Sequence, residues 1–283
     1  MQIRRAPHRI ARYAKRIRYS GITSSPYVSP DTFKRLADLD LDAKFEHKIE
    51  NIRRANVIFI NSGDVDKFFY AYGRHIQAKV LIFGNNDVDF DDFSQHVPNS
   101  IKRIYLQNSM IRDPYFGVLP IGIESLKYLT NGLPKLFGDG YRNKGKNGKI
   151  LVGPFGNTHP ERKKLLALHH LEVENLDFVI SRLSPTEYAA KASGYSFIAC
   201  PRGNGLDTHR FWETLYRGSI PLVLKSNWSA RIQELGIPLI ELSTWEEALN
   251  LDVISSAGRL KFNPAELAAL WEPFWEEQIS FYT

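Results

Sequence analysis

YSFIACPRGNGLDTHRFWETLYRGSIPLVL, from Tyr195 to Leu224, reads as a strand, a glycine-rich turn, a helix and a second strand. Tyr195 to Cys200 is a short β-favouring run. Pro201, Gly203, Asn204 and Gly205 then suit a chain reversal. Asp207 has the chemistry of an N-cap, Arg210 to Arg217 keep helical spacing, and Gly218 with Pro221 supplies the stop, giving a helix of about three turns. Phe211, Trp212, Leu215 and Tyr216 make its apolar face, and Arg210, Glu213 and Arg217 share a neighbouring face.

A helix N-terminus presents unpaired N–H groups and a partial positive charge. Here glycines precede it, and Thr208, His209 and Arg210 occupy the first turn, so the stretch is expected to cradle a phosphate. Glu213, one turn deeper, is placed to accept hydrogen bonds from sugar hydroxyls. The plainer alternative is a turn followed by an Arg210–Glu213 pair on a solvated surface. A turn, however, needs only one or two of these residues.

PRGNGLDTHRFWETLYRGSIPLV resembles the donor-binding signature of exostosin-like and related bacterial glycosyltransferases, which place Pro-Arg-Gly-Asn-Gly, Asp-Thr-His-Arg, Trp-Glu and Ile-Pro in this order. The resemblance implies a GT-B architecture, two Rossmann-like domains facing a cleft, with this stretch in the C-terminal, nucleotide-sugar-binding domain. It further implies Arg202, Gly203, Asn204, Gly205, Asp207, Thr208, His209 and Arg210 around the donor diphosphate and Glu213 at the ribose or sugar. FGNNDVDF and YLQNSMIRDPYFGVLPIGIES resemble first-domain segments of the same group, so the likeness covers roughly residues 80 to 240.

The 283 residues, 43% hydrophobic and 12% aromatic, are enough for two domains with cores of their own. No run approaches the ~20 apolar residues of a membrane span, and no signal-peptide pattern opens the chain, so a cytoplasmic protein is expected. The single cysteine, Cys200, excludes an internal disulfide and reads as a small buried residue at a strand end.

The net charge of +6 is unevenly placed. Residues 1 to 20 carry Arg4, Arg5, Arg9, Arg12, Lys15, Arg16 and Arg18 without an acid, which leaves −1 for the rest. Ile3, Ile10, Tyr13, Ala14 and Ile17 partly line a helical face, so this basic tail is read either as an amphipathic helix on an anionic membrane or as a solvated arm. Nucleic acid is the weaker partner, because no aromatic platform or second basic patch accompanies the tail.

Residues 21 to 140 are expected to form the N-terminal, acceptor-side domain. Asp31 opens a helical stretch continuing to about Ile52. Strands follow at Asn56 to Ile60, Lys79 to Phe83, Ile101 to Leu106 and Gly117 to Pro120, with helices between the first three. Polar residues crowd the strand ends, where an open α/β sheet holds its ligands. Asp87 and Glu124 are the candidate bases for an acceptor hydroxyl, with a structural role in their loops as the alternative. Asp87, Asp89, Asp91 and Asp92 could instead hold a divalent ion, but Asp89, Asp91 and Asp92 read better as helix-start and surface charges, and no metal or other cofactor beyond the nucleotide sugar is expected.

A Gly, Lys and Asn-rich run between Leu133 and Lys149 marks the boundary. The C-terminal domain, 149 to 263, adds Asn157, Thr158 and Arg162 at a helix entrance as further donor or acceptor contacts. Strands are expected at Ile150 to Val152, Phe178 to Ser181, Tyr195 to Ala199, Ile220 to Leu224 and Pro238 to Leu242. In residues 264 to 283 a last helix is expected from Pro264 to about Ile279, with its aromatics packing back across the interface. The function expected is transfer of a sugar from a nucleotide diphosphate sugar to a hydroxyl of a glycan or lipid-linked acceptor. A nucleotide-sugar epimerase of the same fold and a non-catalytic nucleotide-sugar-binding subunit are the alternatives.

Overall fold

Continuous apolar runs without polar alternation suit strands covered on both faces, and they form two all-parallel sheets of five strands each. A computed structural model describes residues 21–138, 145–250 and 262–283. The basic tail of residues 1 to 20 and the middle of the Gly/Lys/Asn-rich run lie outside the described residues.

The N-terminal sheet contains β1 (Leu39–Asp40), β2 (Val57–Asn61), β3 (Val80–Gly84), β4 (Arg103–Leu106) and β5 (Phe116–Val118), in that spatial order. Right-handed crossovers that always advance in one direction fall on one face of a sheet. That face carries α2 (Ile49–Arg54) and α3 (Val65–Tyr72), with Ile52, Phe68 and Tyr72 packed on Ile58, Leu81 and Ile104. The opposite face is left to the two ends of the described chain. Phe33 of α1 (Pro30–Leu36) and Trp275 of α8 (Glu272–Ser280) meet at 5.6 Å between ring centroids and cover Val57, Phe59 and Ile82.

The C-terminal sheet contains β6 (Asn147–Val152), β7 (Leu176–Phe178), β8 (Tyr195–Ala199), β9 (Ile220–Leu224) and β10 (Ile240–Leu242), ordered β10-β9-β8-β6-β7. The chain steps outward from β6 to β7, then returns past β6 to begin β8. Its crossovers therefore use both faces: Leu165 of α4 (Pro160–Ala167) packs on one. Residues of α5 (Pro185–Ala192), α6 (His209–Tyr216) and α7 (Asn227–Glu234) pack on the other. This is a doubly wound, Rossmann-like unit with its switch point between β6 and β8.

Several sequence-based expectations need correction. The helix expected from Asp31 to Ile52 is two helices separated by β1, whose Leu39 and Asp40 pair with Ile58 and Phe59. Local spacing carries no information about that distant partner. Residues between β3 and β4 form no helix. The helix expected from Pro264 to Ile279 breaks into two short 3-10 turns, Pro264–Glu266 and Ala268–Leu270, before α8. Trp245 begins a 3-10 helix, Trp245–Leu249. Leu133, Leu136 and Phe137, at the start of the expected linker, are buried core residues.

Both sheets share one core. Tyr216 of α6 accepts the Val28 N–H at 3.0 Å and donates to the Leu270 carbonyl at 2.6 Å, tying both chain ends to the central helix. Among the described residues no helix is long and apolar enough to cross a membrane.

Candidate functional site

An open cleft of about 1270 Å³ lies where β6 and β8 end, the position at which a doubly wound sheet leaves a crevice between diverging crossovers. Gly153 leaves β6 with φ +86°, and a Cβ there would lie 2.4 Å from the Val179 carbonyl oxygen, so only glycine fits this exit. Phe155 follows, and Arg162 rises from the first turn of α4. From β8 the chain enters the PRGNG turn and then α6.

Arg210 is one of the cations of the cleft, which Arg162, Arg182 and Lys135 also line. Its guanidinium lies 4.8 Å from the Phe155 ring centroid and 4.6 Å from that of Tyr188. Two aromatic faces hold a cation without neutralising it. Its Nη1 is buried and has no hydrogen-bond partner. Arg162 lines the same cleft and spends Nε on the Arg202 carbonyl (2.9 Å) and Nη1 on that of Gly156 (3.2 Å). Burial, followed by the neighbouring Arg210 charge, holds the Arg162 guanidinium below its usual range. Among the described residues neither arginine forms an ion pair. Two neighbouring guanidinium groups in a partly desolvated part of the cleft are suited to an anion.

Glu213 lines the cleft but does not pair with Arg210. Arg217, only 2% exposed, reaches back to it at 3.6 Å and donates Nη1 to its carbonyl at 2.9 Å, beneath the ring of Phe137. The face read from sequence as polar is therefore buried at two of its three positions.

Asp207 is not the N-cap, a place taken by Thr208, whose side chain makes no capping bond and lines the cleft. Asp207 is buried and accepts the Ile121 N–H at 2.7 Å and the Trp212 indole N–H at 2.6 Å. Desolvation pushes its carboxyl up to about 7 against the pull of those donors.

The glycine-rich turn is chiefly a latch between the two halves. Arg202 pairs with Asp89 at 2.7 Å, and Asn204 donates to Asp87 at 3.1 Å. The N–H groups of Leu206 and Asp207 go to Asp89 and Asn108. These two amides are therefore taken up in the latch rather than left for a phosphate. Gly205 lies so close to the Asn108 side chain that a Cβ would come within 2.6 Å. Gly203 is close to Arg162 in the same way, at 3.0 Å.

Arg202 faces Asp89 rather than the cleft, and Asn157 is exposed away from it, whereas Thr158 lines it. Asp87 and Glu124 both line the cleft. Glu124 accepts from the Thr130 hydroxyl, the Asn131 N–H at 2.8 Å and the Asn131 amide at 3.5 Å. Asp89 serves Arg202, and among the described residues no group of three or more His, Cys, Asp or Glu is arranged to hold a metal.

Cys200 is buried, and burial pushes its thiol up to about 12, so it holds no thiolate. The polar strand ends of the N-terminal sheet largely satisfy each other: Asn85 donates to Asp42 at 2.8 Å, Asn86 to Asn61 at 3.0 Å, and Gln107 to the Asn86 carbonyl at 2.9 Å.

Phe155 and Tyr188 are the site residues that sequence reasoning missed, while Arg217 was read only as a member of the face shared with Arg210 and Glu213, and Asn108 and Gly122 only as polar strand ends. Phe155 lies on the segment that leads from Gly153 into α4, and Tyr188 meets it only through the Arg210 guanidinium. No protein-family model matches the chain.

Proposed function

We propose that this chain is a glycosyltransferase of GT-B arrangement that moves a sugar from a nucleotide diphosphate sugar to a hydroxyl of a glycan or lipid-linked acceptor. The observation that carries the reading is Arg210, held between Phe155 and Tyr188 with a buried, unpartnered Nη1 in a cleft at the β6/β8 switch point. An unpaired buried guanidinium N–H is costly unless a ligand completes it.

A diphosphate supplies paired anionic oxygens of the kind guanidinium groups take. Against Arg210 and Arg162 it gains charge as the sugar departs, so preformed cations stabilise the transition state more than the ground state. Glu213, steadied by Arg217, accepts hydroxyls of the ribose or sugar. The cleft volume exceeds that of an ordinary small-ligand pocket, which suits a donor with part of its acceptor. The seven positive charges of the first 20 residues favour an anionic membrane surface, where lipid-linked acceptors reside.

Arg210→Ala should lower turnover of nucleotide sugar by about 10²-fold or more while leaving the melting temperature near that of wild type. Chromatography of released nucleoside diphosphate measures it. Wild-type rates in the variant would contradict the proposal.

A further inference from the structure

Resting on the transferase reading above, we infer that His209, rather than either carboxylate of the cleft, takes the proton from the acceptor hydroxyl through Nε2. His209 Nδ1 lies 2.8 Å from the Gly122 carbonyl oxygen. A carbonyl only accepts, so Nδ1 carries the proton, and the neutral ring has its lone pair at Nε2. Among the described residues Nε2 makes no hydrogen bond, and the side chain lines the cleft.

The tautomer is fixed by a carbonyl that cannot turn. Gly122 has φ +63°, and a Cβ there would lie 2.0 Å from the Val28 carbonyl oxygen. On either side of it, the Ile121 N–H is held by Asp207 and the Ile123 N–H by Val28 at 2.8 Å. Consecutive side chains of α6 thus face opposite walls: His209 meets the N-terminal half at Gly122, and Arg210 meets Phe155 and Tyr188 of the C-terminal half. The cleft thus holds Arg210 for a diphosphate on one wall and His209 for an acceptor hydroxyl on the other.

The competing carboxylates are already engaged. Glu124 accepts three hydrogen bonds from its own loop, and Asp87 holds Asn204 across the latch. In the step, the acceptor oxygen forms a bond to the anomeric carbon while its proton passes to His209 Nε2. The bond from that carbon to the diphosphate oxygen breaks, and its electron pair leaves with the diphosphate. The imidazolium then returns its proton to solvent. A single displacement of this kind inverts the anomeric centre.

The test uses the full chain with ¹⁵N-labelled histidine, and His209→Asn to assign the resonance. Asn keeps an N–H for the Gly122 carbonyl but offers no basic nitrogen. The proposal expects the Nδ1–H tautomer for neutral His209; an Nε2–H tautomer overturns it. UDP, GDP, CDP and dTDP are then titrated into both proteins, and release of nucleoside diphosphate from UDP-glucose, UDP-galactose, GDP-mannose and GDP-fucose is followed with water as acceptor. His209→Asn should bind the same nucleotide within about twofold yet release it on the order of 10²-fold more slowly. Added imidazole should restore part of the rate in His209→Ala. Lost nucleotide binding in His209→Asn, or an unchanged rate, overturns the base role while leaving the transferase reading intact. Failure of every nucleotide to bind wild type removes that reading and this one with it.

Discussion

Asp207 shows how one buried carboxyl links the stability of the chain to pH. Burial raises its pKa from 3.8 to about 7, so the folded state keeps a proton that the unfolded chain has released between those values. Its stabilising contribution is fully present below pH ~4, falls as pH rises through ~7, and is flat beyond, a span of at most about 4 kcal/mol. Asp207→Asn should remove that slope, and lower overall stability by roughly 1–3 kcal/mol, because its amide cannot accept from both Ile121 and Trp212. Urea unfolding of both proteins from pH 4.5 to 8 checks this. Parallel profiles would contradict it. Arg217 was beyond sequence reading for a physical reason: charged spacing on a helix suggests water, and only the distant rings of Phe137 and Tyr188 make its burial favourable.

At the scale of elements, β8, α6 and β9 were legible because each is a local pattern. Tyr195–Ala199 and Ile220–Leu224 are unbroken apolar runs, and the helix between them keeps its spacing. The role of the turn joining β8 to α6 was only half legible. Glycines there read as room for a ligand, but the neighbour that occupies the room beside Gly205 is Asn108, nearly a hundred residues upstream. Asn108 is pinned with φ +55°, accepting from Asp207 and donating to the Asn86 and Val88 carbonyls, so it has little freedom to withdraw. Gly205→Ala should therefore cost roughly 1–3 kcal/mol through the latch. A denaturant midpoint equal to that of wild type would show that the latch tolerates a methyl group.

At the scale of the whole molecule, the two sheets differ in a way that explains why the chain ends matter. The C-terminal sheet covers both its faces with its own crossovers. The N-terminal sheet, advancing in one direction, cannot, and borrows α8 from the other end of the chain. The α/β alternation was visible in the sequence, whereas strand order and this borrowed cover depend on pairings that no local run encodes. The arrangement presses α6 into the shared core and holds its first turn at the cleft between both halves. A nucleoside diphosphate is proposed to bind at that turn, and thermal melting of wild type and Arg210→Ala with UDP, GDP, CDP and dTDP tests this, since a ligand specific to the folded state raises the melting temperature. A clear rise with one nucleotide is expected in wild type and none in the variant. Equal rises in both proteins, or no rise with any nucleotide, would contradict it.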